Sequence, residues 1–123
     1  MPEFLSPSWL EAMRRAADGS VVPVVEPTIV VQQLVTDRDV AWWIELGAGT
    51  VALHVGRAGA PTVTFAQDAE TAAAINQGTL SAQAAFMTGR LRVQGDVQVL
   101  LDRQAEMLGV DDVFAPVRAD TTY

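Results

Sequence analysis

Hydrophobic and polar positions change rhythm several times along this chain, and each change marks a predicted element. In "SPSWLEAMRRAADG" Trp9, Met13 and Ala16/Ala17 recur at helical spacing. Two starts are open for this helix. Ser6 can cap it with Pro7 at the first helical position, or Ser8 and Glu11 can form a capping box. Gly19 supplies the stop, and residues 20–27, with Pro23 and Pro27, read as a rigid connector. The rhythm then shortens to two. "TIVVQQLV" (28–35) is β-branched, and "TDRD" is a turn. "VAWWIEL" (40–46) alternates Val40, Trp42, Ile44 and Leu46 against Ala41, Trp43 and Glu45. After the "GAG" turn, "TVALHV" (50–55) sets Val51, Leu53 and Val55 on one face, with His54 on the other. "TVTFA" (62–66) then directs Val63 and Phe65 inward.

Helical punctuation returns at Asp68, which can cap "AETAAAINQ" ahead of Gly78, and at Ser81, which can cap "AQAAFMT" ahead of Gly89. "RLRVQ" (90–94) is a last strand with Leu91 and Val93 inward and Arg90 and Arg92 outward. Asp96 is expected to cap a final helix, "VQVLLDRQAEML". Its apolar stripe is Val97, Leu100, Leu101, Ala105 and Leu108. Gly109 should end it, leaving a tail with Phe114 and Pro116. The order of one helix, four strands, two helices, one strand and one helix predicts an α+β layered fold with a mainly antiparallel sheet. No internal repeat or linker divides residues 1–123, so one domain is expected.

Composition narrows the function classes. Half of the 123 residues are hydrophobic, mean hydropathy is +0.21, and the net charge is −7 with a pI near 4.4. Such an acidic chain is poorly suited to phosphate backbones or anionic lipid surfaces. No cysteine is present, which removes thiolate chemistry and disulfides and fits a cytoplasmic location. The N-terminal stretch has an early Glu3 and no continuous apolar core, so no signal peptide is expected. Residues 71–89 carry no charge, but Asn76, Gln77, Gly78, Ser81 and Gln83 interrupt them. A spanning helix needs about 20 predominantly apolar residues, so none is expected there.

Candidate chemistry is sparse. Gly89 and Gly95 flank a strand instead of converging on a helix start, and Asp96 would repel a phosphate, so neither nucleotide nor other cofactor is expected. His54 is the lone histidine and lies on the polar side of its strand, without the spacing of a metal site or a triad. An enzyme acting on a hydrophobic molecule would need a polar cluster around it. Asp111 and Asp112 read as a solvated turn and helix terminus.

The run "LSAQAAFMTGRLRVQGDVQVLL" resembles the sterol carrier protein type-two family. The resemblance is carried by Phe86, Gly89, Leu91, Val93, Gly95 and Asp96, and by "PTVTFAQDAETAAAINQGTL" before them. It covers most of the chain and is strongest over residues 61–101. It implies a curved five-stranded, mainly antiparallel sheet with about four helices on one face and a hydrophobic tunnel between them. It also implies non-catalytic binding or transfer of a fatty acyl chain, acyl-CoA, phospholipid or sterol-like molecule, with at most transient membrane contact. The first helix balances Arg14 and Arg15 against Glu11 and Asp18, unlike the basic helix of eukaryotic relatives.

Large and pliable apolar side chains suit such a wall, and the expected ligand-binding residues are Trp42, Ile44, Phe65, Phe86, Met87, Leu100, Leu101 and Met107. The alternative is the same fold with a filled core, serving as an interaction module that forms a homodimer or assists an enzyme.

Overall fold

The computed structural model describes residues 2–18, 20, 28–47 and 49–123, without the side chains of Leu100 and residues 104–109. Helix α1 runs Pro7–Asp18, and strands β1 to β4 are Ile29–Val35, Val40–Leu46, Val51–Val55 and Val63–Gln67. Helices α2 (Ala69–Gln77) and α3 (Ala82–Met87) precede β5 (Leu91–Gly95). Helices α4 (Val97–Asp102) and α5 (Gln104–Ala119) complete the order. This is the expected α+β arrangement. The sheet order is β3-β2-β1-β4-β5, and every neighbouring pair is antiparallel except β1 with β4.

The local signals explain most boundaries. Of the two starts for α1, the first is used: the Trp9 amide donates to Ser6 Oγ at 3.2 Å, and Pro7 opens the helix. Glu11 turns instead to Arg14. Gly19, residues 21–27 and Ala48 lie outside the described residues, so the stop at Gly19 and the connector do too. Asp68 caps α2 by accepting from the Thr71 amide at 2.7 Å, and Gly78 ends it at φ +81°. Ser81 caps α3 in the same way.

Gly95 meets a double demand. Its φ is +101°, and a Cβ there would collide with the Thr62 carbonyl, so only glycine fits where β5 leaves β4.

The last helix departs from expectation. Asp96 makes no side-chain capping bond, the helix breaks at Arg103, and α5 continues through Gly109 and Pro116 to Ala119. Five helices therefore stand where four were counted. The cause is packing. Val110, Phe114 and Val117 recur on one face and are buried, and α5 lies against α1. Their burial outweighs the weak helix propensity of glycine and the proline's missing donor. Asp111 and Asp112 consequently sit within a helix, exposed, and not at a terminus. Val55, expected inward, is 61% exposed because it ends the edge strand and has a sheet neighbour on one side only.

β3 and β4 run in the same direction at separated positions, so residues 56–62 must cross the sheet. Gln32 holds that crossing. Its Oε1 accepts from the Ala58 amide at 2.7 Å, and its Nε2 donates to Thr64 Oγ1 at 3.1 Å. The helices α1, α2 and α5 border the opposite face, where the core sits.

Candidate functional site

Strand alternation and register decide what that face presents. Partner residues in adjacent strands share a face. The pairs Val31–Ile44 and Gln33–Trp42 therefore stand beside Gln33–Phe65 and Gln67–Leu91 as one continuous floor. Trp9 and Met13 from α1, Ile75 from α2 and Phe114 from α5 rise around it. Together they border a cavity of about 600 Å³, open to solvent. That size lies in the range of sites for small organic ligands.

Aromatic contacts shape one wall. Trp9 meets Phe4 edge-on, with ring centroids 4.9 Å apart, and meets Trp42 edge-on at 5.3 Å. Trp9 is 1% exposed, and its indole N–H is buried without a hydrogen-bond partner. Phe4 also touches Tyr123, and the Tyr123 hydroxyl is hydrogen-bonded to Asn76 Nδ2 at the rim. Backbone bonds between residues 2–4 and Thr122, at 2.8 Å, hold Phe4 and Tyr123 in place.

The floor is not wholly apolar. Gln67 Nε2 donates to Gln33 Oε1 at 3.0 Å, placing an amide pair among Trp42, Phe65 and Leu91. Charge is confined to the rim. Among the described residues only Asp111 and Arg118 line the cavity with charge, and they pair with each other. Arg118 also donates to the Asp111 carbonyl at 2.9 Å.

Among the described residues the shifted ionisations lie elsewhere. Glu11 is lowered to about 2 by its hydrogen bond from Arg14, and Arg14 is raised by the same contact. Asp68 is lowered by its hydrogen bonds from Thr71. His54 is exposed and stacks on Trp43 on the other side of the sheet, with centroids 4.1 Å apart. Among the described residues no group of three or more His, Asp or Glu side chains could hold a metal ion. No described helix is long and apolar enough to cross a membrane.

Of the expected wall residues, Trp42, Ile44 and Phe65 line the cavity. Phe86, Met87 and Leu101 are 54%, 76% and 58% exposed and do not line it. Helix α3 has six residues and buries only Ala85, so the next two positions turn away. The side chains of Leu100 and Met107 lie outside the described residues. Sequence reasoning passed over Trp9 and Met13, although their spacing marked an apolar face. It also passed over Gln33 and Gln67, which fall in step with Ile29, Val31 and Val35, and with Val63 and Phe65. A glutamine in the inward phase of a strand was the available signal.

A five-stranded sheet with one face turned to helices and a mainly apolar cavity defines the class of fold. The chain belongs to the SCP-2 sterol transfer family, whose model matches residues 11–105. Solved structures share the fold at low identity. A crystal structure of sterol carrier protein 2 is 17% identical with TM-score 0.61, covering 94% of this chain and 98% of that one. The palmitated SCP2L2 of Aedes aegypti is 18% identical with TM-score 0.56, covering 85% and 94%. A sec-alkyl sulfatase of Pseudomonas sp. is 18% identical with TM-score 0.61. The match covers 83% of this chain but only 16% of that enzyme. No curated protein matches this chain.

Proposed function

We propose that this chain binds a hydrophobic molecule in the cavity between its sheet and helices and passes it on without a covalent step. The guest is a fatty acyl chain, acyl-CoA, phospholipid or sterol-like molecule, held by Trp42, Ile44 and Phe65 with Trp9 and Phe114. The observation that carries this reading is a mainly apolar space of about 600 Å³ between the sheet and its helices. Each methylene buried there contributes roughly 0.8 kcal/mol, so a chain of moderate length suffices for tight yet reversible holding. The palmitated relative with the same fold supports an acyl chain as one such guest. The cysteine-free composition supports the cytoplasm as the compartment.

A second reading has its own support. Phe86, Met87, Val97 and Leu101 are exposed apolar side chains on α3 and α4. The fold also forms one part of an enzyme, the alkyl sulfatase. Either a homodimer or an enzyme partner would cover such side chains.

Native mass spectrometry of freshly purified protein, followed by organic extraction, separates the two. A co-purifying lipid in near-stoichiometric amount is the expected result. Protein that is clean of lipid and also ignores fluorescent acyl chains, neutral and acidic alike, would overturn the first reading in favour of the second.

A further inference from the structure

Resting on the cavity reading above, we infer that Gln33 and Gln67 select the guest. They favour a neutral group that both donates and accepts a hydrogen bond, a hydroxyl or carboxamide, over plain hydrocarbon and over an ionised carboxylate.

Gln33 occupies the strand phase of Ile29, Val31 and Val35, and Gln67 that of Val63 and Phe65. An apolar residue at either site would have continued the floor. Instead two amides face an apolar space, where an unpartnered polar group is costly. They satisfy each other only in part. One bond joins Gln67 Nε2 to Gln33 Oε1, and the Gln33 Nε2 and the Gln67 Oε1 have no other partner among the described residues. Turning both amides over changes which residue keeps the donor and which the acceptor, but one of each is still left. Both glutamines line the cavity and Gln67 is only 6% exposed, so that remaining capacity is met by whatever fills the cavity, water or guest.

A hydroxyl or carboxamide matches a donor beside an acceptor. An ionised carboxylate only accepts, and it would face the Gln67 carbonyl oxygen with no cation beside it. Among the described residues the two charged ones that line the cavity, Asp111 and Arg118, are already engaged with each other.

The test is displacement of a neutral naphthylamine dye by dodecanol, dodecanamide, dodecanoate and dodecane. Wild type is compared with a variant carrying both Gln33→Leu and Gln67→Leu. The variant should lose about tenfold in apparent affinity for dodecanol and dodecanamide, the worth of a satisfied buried hydrogen bond, and hold dodecane as well or better. A wild type that binds dye and dodecane but gains nothing from a hydroxyl, or a variant that loses affinity for all four alike, would overturn the selection while leaving the cavity reading intact. A wild type that binds neither dye nor any chain would overturn both. In wild-type protein alone, the side-chain amide cross-peaks of Gln33 and Gln67 should move on adding dodecanol and stay in place with dodecane. Peaks that ignore dodecanol would overturn the inference even if the variant failed to fold.

Discussion

Gln32 and Gln33 are neighbours in β1 with the same side chain, yet they leave the sheet through opposite faces and meet opposite circumstances. On the loop-covered face, Gln32 has a partner at each polar atom, the Ala58 amide and the Thr64 hydroxyl, and it ties residues 56–62 to the sheet. On the helix-covered face, Gln33 shares one bond with Gln67 and borders open space. The first is a strut whose hydrogen bonds are closed within the protein. The second keeps capacity for something that is not protein. Identical chemistry thus does structural work where packing is complete and recognition work where packing stops short.

The largest expected effect comes from removing the wall that keeps the helix-covered face open. Trp9→Ala deletes the ring that touches both Phe4 and Trp42. It should cost about 3–5 kcal/mol, read as a lower urea midpoint, because the surrounding rings can collapse only in part. A loss under about 1 kcal/mol would mean that the wall is not held by Trp9.

The paired glutamines give the sharpest comparison. Gln32→Leu leaves a buried Thr64 hydroxyl and the Ala58 amide without their partner, and should destabilise by about 2–3 kcal/mol. Gln33→Leu together with Gln67→Leu removes both ends of one shared bond and adds apolar surface to an apolar floor, so its cost should be about 1 kcal/mol or less. Urea unfolding of both variants decides. Equal costs would erase the distinction between strut and selector.

The smallest effect concerns charge at the outside of the fold. Asp68→Ala removes the α2 cap and should cost about 1 kcal/mol near neutral pH. The Asp68 carboxyl is held below its ordinary value by Thr71, so the bond contributes fully above that value. Its contribution is lost as pH falls and the carboxyl protonates. The gap between wild type and variant should therefore hold from about pH 7 down to the ordinary value of 3.8 and narrow below it in urea titrations. Glu11 follows the same sign, with its contribution present above the ordinary 4.5 and fading as pH falls through about 2. Solvent around the exposed Glu11–Arg14 pair keeps that effect small.

Legibility from sequence followed the range of the interaction. The strands at 40–46 and 62–66, and the caps Asp68 and Ser81, were readable because alternation and capping act over a few residues. Gly109 misled for the converse reason. As a local stop it was sound, but Val110, Phe114 and Val117 reach the distant α1 and carry the helix onward. Trp42, Ile44 and Phe65 were found because strand phase locates them. Phe86, Met87 and Leu101 were chosen by size on short helices, where size says nothing of direction.

From the residues alone came the succession of helices and strands, the inward phase of the strands at 40–46, 62–66 and 90–94, the acidic and cysteine-free character, and the family resemblance that the match over residues 11–105 bears out. Tertiary structure alone decided that β1 and β4 lie side by side and parallel, that α5 leans on α1, and that a space remains above Gln33 and Gln67. Periodicity is a property of neighbours in the chain. A cavity is a property of surfaces that meet from far apart in it, and how closely they meet depends on packing that no short stretch encodes.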